Sequence, residues 1–328
     1  MHHQQWRPDR FSAIVYALHR SDLKVKIEGD KPTNEINIAF VSQKRHYPIS
    51  YHSERLSAMQ DTTMVERTFS PPRASLLLQE APRLFGELTA LIATAPFLNQ
   101  APRGDGHPVL VLPGFSASDR STALLRRFLV SKRYVATPWG LGRNLGPAMP
   151  DLAARLAEIF ETVYENGNQQ KISIVGWSLG GVYARLLAHH YPDKIRNVIT
   201  LGSPYRGSPR STRVYPMVQG MLDKPLAQQP ISDLRHLAGT PIENVPTASI
   251  FSRRDAIVPW QIATEPTSTV AENIEVFTSH LGLGFSPAVL FAIADRLAKP
   301  DGEWQRFQRN GWKQAIYGAA NIEQNSRG

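Results

Sequence analysis

Residues 171–195 read KISIVGWSLGGVYARLLAHHYPDKI, and one serine in that stretch decides how the rest of the chain is read. Ile172, Ile174 and Val175 are the β-branched, apolar kind of residue that fills a buried strand, and from Leu179 onward apolar residues recur at helical spacing. Between the two lies Gly176-Trp177-Ser178-Leu179-Gly180, a G-x-S-x-G knot at which a strand must turn abruptly into a helix. A side chain at either glycine would collide with the neighbouring strand or helix as the chain turns. The serine is expected to sit in strained backbone with its hydroxyl above the carboxyl edge of the sheet. Ser178 is therefore a candidate nucleophile.

On both sides of this knot the chain alternates. PVLVLPG (108–114) reads as a buried strand, DRSTALLRRFLVSK as a helix opened by a polar cap, and RYVATPW as a second strand. PDLAARLAEIFETVYENG is a helix running from Pro150 to near Gly167. KIRNVITLGSP, NVPTASIFS and NIEVFTS are three further strands, and SPAVLFAIADRLA is a closing helix. This order predicts an α/β domain with a mostly parallel sheet of about six strands and helices on both faces. Upstream, PPRASLLLQEAPRLFGELTALIATAPF predicts an amphipathic helix. Leu77, Leu84, Leu88, Leu91 and Ile92 share one face, expected to pack on the core, and Glu80, Arg83 and Glu87 share the other. Contact with a lipid surface is the alternative use of such a helix.

Residues 1–72 mix charges with isolated apolar residues such as Phe11, Ile14 and Val15 and show no sustained period, which predicts a poorly ordered N-terminal arm. The domain is expected over 73–300, followed by a C-terminal tail over 301–328. The arm lacks the apolar core of roughly 7–15 residues that marks a secretory signal. No run of about 18 uncharged apolar residues suggests a membrane span, so a cytoplasmic location is expected. Met59 and Met64 are alternative starts, and residues 1–63 are expected to be dispensable for chemistry. The sequence contains no cysteine, which excludes disulfides, thiolate metal sites and a cysteine nucleophile. A net charge of +9 could suit nucleic acid, but the basic residues are scattered and form no block, so no nucleic-acid partner is expected. His2 and His3 have no further ligands at metal spacing. No metal and no cofactor are expected.

A serine hydroxyl attacks only when a base removes its proton, and the base needs a third group to fix its tautomer. His280 follows NIEVFTS directly, and Asp255 follows NVPTASIFS. Both are just past strands parallel to the one before Ser178, hence at the same edge. His189 and His190 are too far along the helix after Ser178, and His107 precedes a strand and belongs at the opposite edge; His236 stays open as a base. Asp223, Asp233, Glu243 and Glu265 stay open as the acid.

VLVLPGF, VGWSLGG, VITLGSPYRGS, SRRDAIVP and SHLG, over roughly residues 105–298, resemble the α/β-hydrolase superfamily, and within it bacterial serine esterases and lipases that begin at the sheet's third strand. The order Ser178, Asp255, His280 is that of this fold. The resemblance implies an α/β-hydrolase fold with a small cap insertion over about 205–246. It also implies an oxyanion hole from the N–H groups of Phe115 and Leu179, although LPGF stands where many such lipases have His-Gly. VYPMVQGML and ISDLRHLAG are helical candidates in the insertion, and Met217 and Met221 suit an acyl chain. In TPWGLGRNLGPAMP, Trp139, Leu141 and Leu145 are candidate apolar walls and Arg143 a contact for a polar head group. The expected activity is that of a cofactor-independent serine carboxylesterase or lipase acting through an acyl enzyme on a small-molecule or lipid ester, with transient lipid-surface contact. Acyl transfer to an alcohol, and polyester or thioester cleavage, would use the same residues. A non-catalytic binding module that kept the fold is the alternative from another class, and the intact Ser, Asp and His set argues against it.

Overall fold

The computed structural model describes residues 24–29, 35–42, 45–52, 67–222, 236–265 and 268–318. They fall into two compact units, one of residues 1–67 with 151–154 and one of residues 68–150 with 155–328. In the first, β1 (Lys24–Gly29), β2 (Glu35–Ser42) and β3 (Arg45–His52) form an antiparallel sheet in the order β1-β2-β3. Lys24 pairs with Val41 and Gly29 with Ile36; Glu35 pairs with His52 and Ser42 with Arg45. Three strands thus stand within the stretch expected to be a poorly ordered arm. KVKIEG and EINIAFVS do carry a period of two, with Val25 and Ile27, then Ile36, Ile38 and Phe40, at alternate positions. Windows of only six to eight residues hide that alternation from a search for longer periods. Phe11, Ile14 and Val15 lie outside the described residues.

The second unit opens with three helices, α1 (Ala74–Leu78), α2 (Glu80–Ala93) and α3 (Ala95–Leu98). The alternation follows: β4 (Pro108–Leu112), α4 (Ala123–Ser131), β5 (Val135–Pro138), α5 (Leu152–Asn166), β6 (Ile172–Trp177), α6 (Leu179–His190) and β7 (Ile195–Leu201). Then come α7 (Tyr215–Gly220), β8 (Thr247–Phe251), β9 (Ala271–Glu275), α8 (Pro287–Leu297) and α9 (Lys313–Ile316). The six strands from β4 on are all parallel, in the order β5-β4-β6-β7-β8-β9. Every residue of β4, β6, β7 and β8 is buried, as expected of strands covered on both faces. β5 closes one end of the sheet and is half exposed. Leu125 and Leu129 of α4, Leu98 of α3 and Leu290, Ile293 and Leu297 of α8 pack with Val109, Val111, Ile199 and Ile250 of the sheet. Each such side chain contributes about 1.5–3 kcal/mol by leaving water. No helix among the described residues is long and apolar enough to cross a membrane.

The helical stretch 74–98 lies the other way round from the expectation. Leu78, Phe85 and Ile92 are at least three-quarters exposed, at 82%, 75% and 79%, and Leu77 and Leu88 are also exposed, whereas Glu80 is buried and Glu87 is half-buried. Only Leu91 of the five apolar residues packs against the main core. A hydrophobic stripe identifies the inward face only if the surface beneath is apolar, and under this part of α2 lies a loop with polar backbone to satisfy.

The insertion between β7 and β8 carries α7 and a helical turn at residues 236–239. It is fastened by Arg185 of α6, a fully buried guanidinium that donates to Glu265, to the carbonyl of Ala238 and to that of Thr240 at 2.7 Å, and that lies 4.2 Å from the centre of the Tyr205 ring. Removing one partner would strand the other charge, so Glu265→Ala is expected to lower stability by about 3–5 kcal/mol. A urea titration, read as the fall in midpoint at unchanged slope, checks it. The C-terminal stretch is tied to the sheet as far as Gly318, whose N–H donates to the carbonyl of Glu275 at 2.9 Å. Tyr317 bridges Val276 just past β9 and donates its hydroxyl to the carbonyl of Ala288 at 2.8 Å, and Phe307 packs edge-on against its ring.

Candidate active site

Ser178 ends β6 and opens α6. Its backbone has φ 53° and ψ −121°, a conformation worth about 1–3 kcal/mol of strain in a residue other than glycine. It is held there by its own N–H, which donates to the carbonyl of Leu201 at 2.8 Å, and by its carbonyl, which accepts from Gly181 at 3.0 Å. Gly176 is required because a Cβ there would lie 2.4 Å from Gly181 Cα, backbone against backbone.

Asp255 and His280 come from the loops after β8 and β9. His280 Nδ1 is 2.6 Å from Asp255 Oδ2, and Asp255 Oδ1 accepts from the N–H groups of Ile257 and Val258, both at 2.8 Å. Both side chains are buried. Ser252 stitches the two loops together, since its hydroxyl donates to the carbonyl of Thr278 at 2.6 Å. Burial disfavours a charged imidazole, yet the carboxylates of Asp255 and Glu80 outweigh it and hold the pKa of His280 above its ordinary value. Trp177, beside the serine, donates its indole N–H to the carbonyl of His280 at 3.2 Å. A Cβ on Gly202, which follows β7 with φ 54°, would stand 3.0 Å from Asp255 Oδ2 and 3.4 Å from His280 Nδ1. Three strand ends thus bring the three residues to one edge. Asp255 and His280 are directly bonded, and Ser178 joins them through Trp177 and the Leu201–Gly202 turn. Hydrogen bonds between nucleophile and base commonly tighten only once substrate is bound.

The turn after β4 faces the serine, since a Cβ on Gly114 would lie 3.1 Å from Ser178 Cβ. Phe115 and Leu179 converge from opposite sides on Gly146, whose added Cβ would be 3.2 Å from Leu179 Cδ2 and 3.3 Å from Phe115 Cδ2. The N–H of Leu179 opens α6 and has no carbonyl one turn back to bond. Around Phe115 the turn is closed by Ser116 N–H to Asn144 O at 2.6 Å and Ala117 N–H to Gly114 O at 3.2 Å, neither of which uses the N–H of Phe115. Fully buried Asn144 completes the clamp: Nδ2 donates to the carbonyl of Pro113 at 2.9 Å and Oδ1 accepts from Gly146 N–H at 3.0 Å. Sequence reasoning passed over Asn144, which reads there as an ordinary loop residue.

The rim residues fare differently. Trp139 is fully buried, its indole donating to the carbonyl of Gly142 at 2.9 Å. With Leu141 it lines a cavity of about 580 Å³ beside β5 that none of Ser178, Asp255 and His280 reaches. Arg143 is engaged with Ser116, donating to its carbonyl at 3.0 Å and its hydroxyl at 2.7 Å, and so steadies the turn after β4. Leu145, Met217 and Met221 are exposed.

Among the other histidines, His189 is drawn down to about 4 by burial and by nearby Arg185, and its Nε2 lies 3.3 Å from Thr240 Oγ1. His107 is buried at the opposite edge, 2.6 Å from Asp105 and 2.8 Å from Ser173 Oγ, with Arg196 on the same carboxylate at 2.6 Å. Of the alternative acids, Glu265 is paired with Arg185, Glu243 is exposed, and Asp223 and Asp233 lie outside the described residues.

The sheet is parallel, with Ser178, Asp255 and His280 at its carboxyl edge, and the alpha/beta hydrolase fold family matches residues 96–324. The chain belongs to that family. It is 29% identical over 128 residues to the serine hydrolase BPHL of Mus musculus, a stretch covering 37% of this chain and 43% of that protein. Among solved structures it is similar to one reported with the metagenome-derived lipolytic enzymes LipS and LipT, at 19% identity and TM-score 0.46 over 60% of this chain and 93% of that one. Lipase B of Aspergillus fumigatus is similar at 16% identity and TM-score 0.47, over 60% of this chain and 53% of that one.

Proposed function

We propose that this hydrolase is a serine carboxylesterase or lipase. Ser178 attacks the ester carbonyl, His280 takes the serine proton and returns it to the leaving alcohol, Asp255 keeps Nδ1 of His280 protonated so that Nε2 can accept, and water releases the acyl group. The N–H groups of Phe115 and Leu179 receive the oxygen charge of the tetrahedral intermediate. One observation carries this reading: a serine held at φ 53° at a helix N-terminus, on the same edge as a buried Asp255–His280 pair 2.6 Å apart. A lipid ester is the favoured substrate, because Leu78 of α1 and Phe85 and Ile92 of α2 stand exposed, and α2 also touches the loop of His280 through Glu80.

Labelling by a serine-reactive phosphonate, followed by nitrophenyl esters from acetate to palmitate and a triglyceride emulsion, tests the reading. Labelling at Ser178 with turnover on at least one ester supports it; an unlabelled, folded protein would make the chain a binding module. The pH dependence has a definite sign. His280 must be neutral to accept a proton and its pKa is raised, so kcat/KM is expected to fall on acidification with a midpoint above the ordinary imidazole value of about 6.5. A rate profile between pH 5 and 9 on a short soluble ester measures it.

A further inference from the structure

Two acidic side chains of α2 turn inward onto one loop. Glu87 Oε1 accepts from the hydroxyl of Thr278 at 2.6 Å and from the N–H of Ser279 at 2.7 Å, and Oε2 accepts from the hydroxyl of Ser279 at 2.7 Å. Two helical turns earlier, Glu80 Oε1 accepts from the N–H of His280 at 3.2 Å, and Oε2 faces the N–H of Leu281 at 3.5 Å. The approach is close, since a Cβ on Gly282 would lie 2.0 Å from Glu87 Oε2. Three successive backbone N–H groups, those of 279, 280 and 281, thus point at two carboxylates of one helix. A loop with that many unpaired donors would otherwise be free to move.

We propose that Glu80 and Glu87 are positioning residues of the active site: Glu87 fixes the backbone that carries His280, and Glu80 sets a carboxylate against that histidine. This rests on the esterase reading of the same site. The charged groups around His280 are Asp255 and Glu80. Glu87 is engaged one residue away, Arg83 of α2 is bonded to Gln79 and to the carbonyl of Arg254, and Arg253 pairs with Glu275. The charge of Glu80 favours the imidazolium that forms as the serine proton is taken. Because α2 ends at Ala93, these two carboxylates precede residues 96–324, over which the family matches.

The test uses the full chain and two readouts. Glu80→Gln keeps an accepting oxygen and removes the charge; it is expected to move the acid limb of phosphonate labelling to lower pH while KM for ester turnover holds. Glu87→Ala is expected to lower kcat about tenfold to a hundredfold at similar KM, through misplacement of the imidazole, and Glu87→Gln to recover part of the loss. Titration of the His280 ring by NMR, assigned by its disappearance in His280→Ala, should show the same downward shift in Glu80→Gln. An unmoved His280 titration in folded Glu80→Gln, or full turnover in Glu87→Ala, overturns the proposal. If the unaltered chain fails to label, the esterase reading falls, and the NMR titration still decides whether Glu80 acts on His280. If Glu87→Ala does not fold, the Glu80→Gln titration decides alone.

Discussion

Ser178→Ala and His280→Ala are each expected to lower ester turnover by about 10⁶, the scale on which either member of such a pair is lost. The two losses should not add. Without the hydroxyl there is nothing for the imidazole to activate, and without the imidazole the hydroxyl stays a weak nucleophile in a site that still binds ester. A residual rate about 10³–10⁴ above that in water should survive in both if the N–H groups of Phe115 and Leu179 receive the oxygen charge as proposed. Ser178→Ala should fold as the unaltered chain does, since the strained turn is fixed by backbone bonds to Leu201 and Gly181 that do not involve the side chain. Steady-state kinetics with a chromogenic ester, beside a thermal melt, read both outcomes. Near wild-type turnover in either variant would remove that residue from the mechanism.

The second large effect comes from a change of one atom. Asp255→Asn should cost about 10⁴ in kcat while leaving the melting temperature within a few degrees. Asp255 Oδ1 already accepts two N–H bonds, from Ile257 and Val258, and only an oxygen can do that. The amide oxygen of asparagine is therefore committed to that side, and its NH₂ must face His280 Nδ1. The ring then carries its proton on Nε2, the nitrogen that has to receive the proton of Ser178. The same kinetics measured for Asp255→Asn decide it, and retained turnover would mean that another group orients His280.

The sheet and the three candidate catalytic residues were legible because each has a local signature. Continuous Val and Ile runs mark strands buried on both faces, and G-x-S-x-G has steric consequences within five residues. Asp255 and His280 could be placed by counting strand ends, since parallel strands all finish at one edge. What escaped depends on surfaces that meet only in the folded chain. The apolar stripe of Leu77, Leu84, Leu88, Leu91 and Ile92 said which face of α2 is greasy, and Glu80 and Glu87 turned inward because the covered surface is bare backbone around His280. Asn144 lies 31 residues from the Pro113 carbonyl it binds, and Ser252 lies 26 from that of Thr278. Nothing in either neighbourhood announces such a partner. The strands of residues 24–52 were missed for a different reason, an alternation too short to stand out among charges.

The buried group at the far edge of the sheet has a bearing on how catalytic sites are found. Ser173, His107 and Asp105 meet at 2.8 and 2.6 Å, so a search that matched side chains alone would return this second Ser, His and Asp set. The second is chemically mute. Ser173 is fully buried within β6, with no helix start behind it to supply N–H groups, and Arg196 already occupies the aspartate. The two sets differ in the main chain: a kinked backbone at a helix N-terminus around Ser178 on one edge, and a straight, buried strand around Ser173 on the other. Site recognition across sequence space would gain specificity by scoring that backbone before any side chain.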